Sequence, residues 1–174
     1  MGKIFSLGHK IIHIPTLKIS SAKAEPVDAN QYNAFIFTSA NAIRNLKVIN
    51  QDKSKLCFCV GAITEKIARM SGYNNTVSAG GTVNALKNLI ISSNQINEKS
   101  IIAYFCGDNI SYELDLELKR EGIKTNKIIN YTSEKITDLN KENKKIIESH
   151  PPDIILVYSI RSAQSFIEIV KNYS

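Results

Sequence analysis

Short runs of β-branched and aromatic residues alternate along the chain with longer stretches in which apolar residues recur every three or four positions. Apolar runs of about four to eight residues are typical of buried strands, whereas the longer period is typical of amphipathic helices. Strands that alternate with helices are characteristic of proteins built on a parallel sheet. The pattern therefore predicts an α/β fold.

The elements can be assigned in order from this alternation. The predicted strands are Lys10–Ile14, Ala34–Thr38, Leu56–Val60, Asn75–Ser78, Ile101–Phe105, Thr125–Asn130 and Ile154–Tyr158. The predicted helices are the end of one before Gly8, then Ala40–Ile49, Ala62–Ser71, Thr82–Ser92, Asn109–Glu121, Thr137–Ser149 and Ser162–Asn172. Gly61 and Gly107 each follow a strand, where the chain has to turn tightly into the next segment.

The distribution of these elements predicts two domains. The segment from Ala34 to Asn130 holds five strands and four helices, enough for a complete doubly wound domain with helices on both faces of its sheet. We therefore expect residues 21–131 to form a complete domain 2, inserted into an incomplete domain 1 made of residues 1–20 and 132–174. Two segments, PTLKIS and NYTSEKI, would pair as the two-stranded linker between the domains.

Similarity between two stretches of the sequence supports two related domains. The sequence AFIFTSANAIRNL aligns with IILVYSIRSAQSF when Ser39 is placed opposite Ser159. Each stretch has four apolar or aromatic residues, a hydroxyl, a serine and a helix that opens on small residues. Such similarity favours two strand–Ser–helix units that face one another.

Composition and charge indicate which kinds of binding partner are favoured and which are not. The net charge of +6 favours acidic partners, although scattered lysines are equally typical of an ordinary solvated surface. Aromatic residues total 7% and form no stripe with basic residues, which argues against nucleic-acid binding. The sequence contains no membrane-span or signal-peptide pattern, and its three cysteines favour a reducing cytoplasm. The histidines have no partners at a metal-site spacing, so no metal is expected.

The candidate site lies where the parallel strands end, because ligands of such sheets bind beyond their carboxyl ends. Thr38, Ser39, Thr64 and Ser159 place hydroxyls there, beside helix N-termini whose N–H groups attract anions. The alternative is that these residues only cap their helices. Patterns for dinucleotide, P-loop and nucleophile-elbow sites are missing. Tyr131 ends the last strand of domain 2, where its phenol is either a proton donor or structural.

Five segments resemble the uroporphyrinogen-III synthase family in order and spacing. They are FIFTSANAIRNL, VGAITEKIARMSGY, SAGGTVNALKNLI, AYFCGDNISYELDLELKREGIKTNKIINYTSEK and DIILVYSIRSAQSF. The family patterns are a strand ending in TSxxAV, a VGxxT turn, a helix opening near SxxxL, a strand–RG turn, a strand ending in VYxT and a strand–S–P–S turn. The resemblance extends over nearly the whole chain.

The resemblance implies a fold and a reaction. The fold is two doubly wound, flavodoxin-like domains joined by a two-stranded linker. The reaction is the closure of hydroxymethylbilane to uroporphyrinogen III, with inversion of ring D and loss of water, in tetrapyrrole and heme biosynthesis. No cofactor is implied, and the polycarboxylate substrate suits a basic protein. Tyr131 corresponds to the tyrosine that assists departure of the hydroxyl, and Thr38, Ser39, Thr64 and Ser159 correspond to substrate-binding positions.

Departures from the family pattern define the alternatives. The family's opening strand and the end of its first domain have no counterpart, so the chain is expected to be truncated at both ends. Cys106-Gly107 replaces Arg-Gly, and Ser159-Ile160-Arg161-Ser162 replaces Ser-Pro-Ser. The alternative function is a degenerate homologue that binds an acidic tetrapyrrole or another anion without catalysis. A monomer is expected from the family, with self-association through the incomplete domain as the alternative.

Overall fold

The computed structural model describes residues 6–171. Its strands are β1 (Leu17–Ser21), β2 (Val27–Asp28), β3 (Ala34–Phe37), β4 (Val48–Ile49), β5 (Leu56–Cys59), β6 (Thr76–Ser78), β7 (Ile101–Gly107) and β8 (Lys124–Lys135). Its helices are α1 (Ala40–Arg44), α2 (Ala62–Met70), α3 (Val83–Ile91), α4 (Leu114–Arg120), α5 (Lys141–Ser149) and α6 (Ile160–Lys171). The helix end predicted before Gly8 falls in part on residues 1–5, and Asn172 lies outside the described residues as well.

The main sheet has the strand order β1-β8-β7-β3-β5-β6. The five strands from β8 to β6 are parallel, and Ile36 of β3 lies opposite Phe58 of β5 and Tyr104 of β7. Counted along the chain from β3, their order is 3-2-1-4-5, so the direction of winding reverses between β3 and β7. The predicted α/β fold with a doubly wound parallel sheet is confirmed, although this order differs from the 2-1-3-4-5 order of flavodoxin.

Two apolar layers cover the two faces of this sheet, because successive side chains of a strand point to opposite faces. Phe35 and Phe37 pack with residues of α1 and α2 in one layer. Ala34 and Ile36 pack with residues of α3 and α4 in the other. All four of these β3 residues are fully buried. A strand covered on both faces is apolar throughout, which explains the continuous run AFIF.

The chain divides into two compact units. Unit 1 comprises Met1–Lys18 and Glu134–Ser174, and unit 2 comprises Ile19–Ser133. These boundaries each fall two residues from the predicted domain limits at 20/21 and 131/132. The description of one domain as complete and the other as incomplete stays a prediction.

Strands β1 and β8 are neighbours in the sheet, as predicted for PTLKIS and NYTSEKI. The N–H of Ile136 donates to the carbonyl of Thr16 at 2.9 Å, and the N–H of Ala22 donates to the carbonyl of Asn130 at 3.1 Å. Later residues of one strand thus pair with earlier residues of the other, so these two strands are antiparallel.

Two strand predictions are wrong, and both fall in unit 1. Residues 10–14 and 154–158 are outside any strand. In the described part of this unit, residues 6–18 and 134–171, strand structure is confined to the ends of β1 and β8. An apolar run becomes a strand only when neighbouring backbone satisfies its N–H and C=O groups, and these two runs have no such neighbour among the described residues.

Three helices are shorter than predicted by at least four residues, for local reasons. Helix α1 ends at Arg44 because the Asn45 amide donates to the carbonyl of Asn41 at 2.9 Å and the chain then pairs as β4 with β2. Helix α5 begins at Lys141 because the Asn140 side chain accepts from the first turn. Helix α4 starts five residues late, after the polar loop that follows β7. None of the helices within residues 6–171 is both long and apolar enough to cross a bilayer.

Candidate functional site

The carboxyl end of β3 presents two hydroxyls. The Ser39 side chain accepts a hydrogen bond from the N–H of Asn41 at 3.1 Å and so caps α1. The Thr38 hydroxyl lies 3.3 Å from the phenol oxygen of Tyr104, which is buried on the neighbouring strand β7. Burial raises the pKa of Tyr104, and the hydrogen bond with Thr38 opposes that rise. Both hydroxyls therefore have a local partner, and both lie at the edge of the sheet that is formed by the carboxyl ends of its parallel strands.

A change of register brings Tyr131 to the same edge. Cys106 of β7 lies opposite Ile129 of β8, but the next residue, Gly107, lies opposite Tyr131. Asn130 is thus the extra residue of a bulge, and its side-chain amide donates to the carbonyl of Ala42 in α1 at 2.6 Å. Bulges re-aim neighbouring side chains and are frequent beside active sites.

The ring of Tyr131 lies directly against Gly107. A Cβ atom added to Gly107 would stand 2.7 Å from two ring carbons of Tyr131 and 2.9 Å from its phenol oxygen. Real Cβ atoms do not approach other atoms so closely. Any other residue at this position would therefore displace the ring, so Gly107 sets where the phenol can lie.

The phenol of Tyr131 is held in its neutral form. Burial raises its pKa, and its electrostatic interactions with Cys106 and Asp108 act in the same direction, while the nearby hydroxyl of Ser39 and the backbone of Gly107 oppose them. A phenol is already protonated at neutral pH at its ordinary pKa, so one with a raised pKa is protonated there as well. It can therefore donate a proton or a hydrogen bond to a ligand oxygen.

Two further turns complete this edge of the sheet. Gly61 precedes α2 and has no side chain to accept from the N–H groups of the first turn. Thr64 lies in that first turn with only 6% of its surface exposed, so most of its side chain is covered by protein. Gly80 and Gly81 have φ of 75° and 112°, a left-handed conformation suited to glycine, in the turn from β6 to α3.

Ser159 lies in unit 1, directly before α6. Its hydroxyl accepts from the N–H of Ser162 at 3.0 Å and lies 2.9 Å from the Ser162 hydroxyl. The carbonyl of Ser159 accepts from the N–H of Ala163 at 3.0 Å, which is the first helical bond of α6. Ser159 thus caps its helix in the same way as Ser39, and its side chain is exposed.

Comparison with known proteins decides the family. The sequence profile described as "Uroporphyrinogen-III synthase HemD" matches residues 2–174. The chain belongs to the uroporphyrinogen-III synthase family. The resemblance and the main functional expectation, an enzyme of tetrapyrrole and heme biosynthesis, are confirmed, and the alternative of a binder without catalysis is not favoured.

Solved structures of uroporphyrinogen-III synthases share the fold. The crystal structure of uroporphyrinogen-III synthetase from Helicobacter pylori matches with a TM-score of 0.60 and 20% identity, covering 87% of this chain and 68% of that one. A mutant uroporphyrinogen III synthase from the extremely thermophilic bacterium Thermus thermophilus matches with a TM-score of 0.53 and 15% identity, covering 78% of this chain and 58% of that one. No curated protein sequence matches the chain.

The fold brings together part of the predicted site. Thr38, Ser39 and Tyr131 lie at the same edge of unit 2, on either side of the end of β7. Thr64 lies at this edge too, but it is largely buried. Their roles in the family reaction stay predictions, as does that of Ser159 in the other unit.

Sequence reasoning placed the end of β7 at this edge but missed two contacts that β7 makes there. Gly107 was identified only as a turn residue, yet it makes room for the Tyr131 ring. Tyr104 lies inside a continuous apolar run, where nothing marks its contact with Thr38. The available signal was Gly107 itself, a glycine placed where β7 ends, beside the predicted site.

Proposed function

We propose that this chain closes hydroxymethylbilane to uroporphyrinogen III, using the carboxyl edge of the unit 2 sheet as part of its substrate site. The observation that carries the proposal is the phenol of Tyr131, which is protonated, partly buried and fixed against Gly107 at that edge. In a member of the uroporphyrinogen-III synthase family, such a phenol is suited to assist departure of the substrate hydroxyl.

The chemistry required of Tyr131 is a single proton transfer. As the C–O bond of the hydroxymethyl group breaks, the electron pair leaves on oxygen and the phenol supplies the proton that makes this oxygen water. The remaining methylene cation is stabilised by its pyrrole nitrogen. For the type III isomer, the α-carbon of ring D that carries the methylene bridge bonds to this cation, and the existing bridge bond at that carbon then breaks. The released methylene bonds to the other α-carbon of ring D, which loses its proton, and return of a proton to the phenolate restores Tyr131. The net change is loss of one water.

The remaining site residues are proposed to hold carboxylates. Thr38 and Ser39 offer hydroxyl and backbone donors, and Thr64 lies in a first turn that Gly61 leaves without a side-chain cap. Ser159 offers the equivalent donors in unit 1. The net charge of +6 favours a substrate with many carboxylates. Holding the linear tetrapyrrole in one geometry lowers the barrier by orientation rather than by strong acid–base chemistry.

The deciding experiment measures the isomer formed. Hydroxymethylbilane is generated in situ, the protein is added, the products are oxidised, and type I and type III porphyrins are separated. The protein is expected to yield type III, whereas type I alone would contradict the proposed activity. Tyr131→Phe should lower kcat about a hundredfold, consistent with the loss of a general acid. Tyr32→Phe, at the amino end of the sheet, is the matched control.

The binding role of Ser39 is tested by two variants. Ser39→Ala removes both the cap and the hydroxyl donor and should raise KM. Ser39→Asp keeps a good capping acceptor but places a negative charge against an anionic substrate. It is expected to fold as stably as the original protein and to raise KM further. An unchanged KM in both variants would refute a role for Ser39 in substrate binding.

A cytoplasmic location is proposed from the cysteines. Cys57, Cys59 and Cys106 are all buried and free of disulfides. Buried free thiols suit a reducing compartment. Detection of the protein in the oxidising compartments of its cell would contradict this location.

Association state is proposed to depend on the segment Ile154–Tyr158 of unit 1. Tyr158 is 80% exposed and Leu156 is 59% exposed, an unusual environment for an apolar run. The alternative to the monomer expected from the family is weak self-association through this segment. Sedimentation velocity over a concentration series should show it, and Leu156→Lys should abolish it. Ile63→Lys, at an exposed apolar residue of unit 2, is the control. A monomer at every concentration would support the family expectation instead.

A further inference from the structure

The residue after Gly107 contacts β8 at Tyr131 itself and again two residues further along the strand. The backbone N–H of Asp108 donates to the carbonyl of Tyr131 at 3.1 Å. The carboxylate of Asp108 accepts from the backbone N–H of Ser133 at 3.0 Å. Strand β7 ends at Gly107, so a carbonyl of a continuing strand is replaced here by a side-chain oxygen. Asp108 therefore extends the ladder between the two strands beyond the end of β7.

This extension holds the backbone of β8 at two points, the carbonyl of Tyr131 and the N–H of Ser133. Ser133 is 9% exposed, so removal of the carboxylate takes a hydrogen-bond acceptor from a largely buried residue. A carboxylate that accepts from a backbone N–H makes a stronger hydrogen bond than a neutral acceptor. Since the ladder is already shifted at the bulge before Tyr131, these two bonds hold the segment that follows the shift.

The ring of Tyr131 has little freedom to absorb a shift of its own backbone. Two of its ring carbons already lie 2.7 Å from where a Cβ of Gly107 would stand. A small movement of β8 would therefore carry the phenol away from this surface and from Ser39. Displacements of about 1 Å can lower catalytic rates a hundredfold.

We propose that Asp108 is a positioning residue that acts on the reaction through Tyr131 and makes no required contact with the substrate. This inference rests on the proposed role of Tyr131 as proton donor. It assigns a function to the carboxylate that stands among the hydroxyl and N–H donors of this edge, where the substrate itself is anionic.

The test compares two variants of Asp108 in two backgrounds. Asp108→Ala removes the acceptor and should lower kcat about tenfold or more, with a much smaller change in KM. Asp108→Asn keeps an acceptor oxygen and should restore kcat to within about threefold of the original value. In a Tyr131→Phe background, Asp108→Ala should have no further effect on kcat. Asp52→Ala, which removes a similar side-chain acceptor from Ser54 far from Tyr131, is the control.

A second readout does not depend on activity. With ring-labelled tyrosine, the NMR resonance of Tyr131 is identified by its loss in Tyr131→Phe. It should move in Asp108→Ala and stay close to its original position in Asp108→Asn. Equal losses of kcat from Asp108→Ala in both backgrounds, or an unmoved Tyr131 resonance, would overturn the inference. Full turnover by Tyr131→Phe would instead remove the proposed proton donor, while the NMR result would still decide whether Asp108 positions the ring.

Discussion

Similar apolar runs adopt different structures in the two units. In unit 2 the run Ala34–Phe37 is fully buried between two strands and two layers of helices. In unit 1 the matching run Ile154–Tyr158 is exposed along its whole length and forms no strand. Apolar composition is the same in both. The difference teaches that a strand in a parallel sheet depends on paired neighbours more than on its own propensity.

The helix that follows each run does not share this dependence. Ser39 and Ser159 both accept an N–H from the first turn of the next helix. A cap needs only the residues beside it, so it forms with or without a neighbouring strand. The predictions below test this contrast between the densely packed unit 2 and the exposed unit 1.

Alkaline pH is expected to have the largest effect, confined to unit 2. Burial raises the pKa of Cys106 from 9.0 to about 11 and that of Cys59 from 9.0 to about 12. Above about pH 9 the unfolded chain loses thiol protons that the folded chain keeps. The contribution of these thiols to the free energy of unfolding is therefore fully present below that pH. It is lost as the pH rises toward 11 to 12. The slope is about 1.4 kcal/mol per pH unit for each thiol.

Chemical denaturation from pH 8 to 11 measures this decline. Cys106→Ala should make it shallower by the contribution of one thiol. A slope that does not change on removal of Cys106 would show that its thiol is not protected by the fold.

Truncation of the aromatic core should have the next largest effect on the free energy of unfolding. Phe35 is fully buried, and its ring centroid lies 5.4 Å from that of Phe105 and 6.0 Å from that of Tyr73. Phe35→Ala should lower the free energy of unfolding by about 3–5 kcal/mol. Leu156→Ala in unit 1, at a side chain 59% exposed, should change it by less than about 0.5 kcal/mol. Denaturation followed by tyrosine fluorescence measures both, and similar losses would contradict the contrast between the units.

Gly107→Ala should have an intermediate effect on stability and a clear effect on catalysis. The added methyl group meets the Tyr131 ring at 2.7 Å, so the ring or the strand has to move. We expect a loss of about 1–3 kcal/mol in the free energy of unfolding and a fall in kcat. Steady-state kinetics and denaturation measure the two effects. Normal kcat would show that the position of the ring against Gly107 is not needed for turnover.

Removal of one helix cap from each unit should give the smallest effects. Thr82 caps α3, whose Leu86 and Ile90 are fully buried in unit 2. Asn140 caps α5, a helix without buried residues. Thr82→Ala should lower the free energy of unfolding of unit 2 by about 1 kcal/mol. Asn140→Ala should speed amide exchange in α5 and leave unit 2 unchanged, and an effect on unit 2 would contradict the independence of α5.

Local patterns predicted much of unit 2. The continuous apolar runs identified β3 and β5, and the amphipathic period with its flanking polar residues located α2 and α3 to within about one residue at each end. The strand prediction for β8 stopped at Asn130, and its second half was predicted separately as the linker segment NYTSEKI, which depends on β1 for pairing. The missed strand β4 has only two residues and depends on β2 in the same way.

The site was less predictable than the sheet. Thr38, Ser39 and Tyr131 could be placed at one edge because the carboxyl ends of parallel strands meet there. The contact between Tyr131 and Gly107 could not be predicted, because it depends on a one-residue shift between β7 and β8. Such a shift is a property of two distant segments together, and neither segment carries a local signal for it.

The reactivity of the native cysteines can be used to detect local opening of unit 2. All three thiols of the chain lie in unit 2, and each is at most 1% exposed. A thiol-alkylating reagent can reach them only when that unit opens, whereas movements of unit 1 leave no covalent record. Mass spectrometry of the intact chain after timed labelling would therefore count openings of unit 2 alone, without an engineered probe.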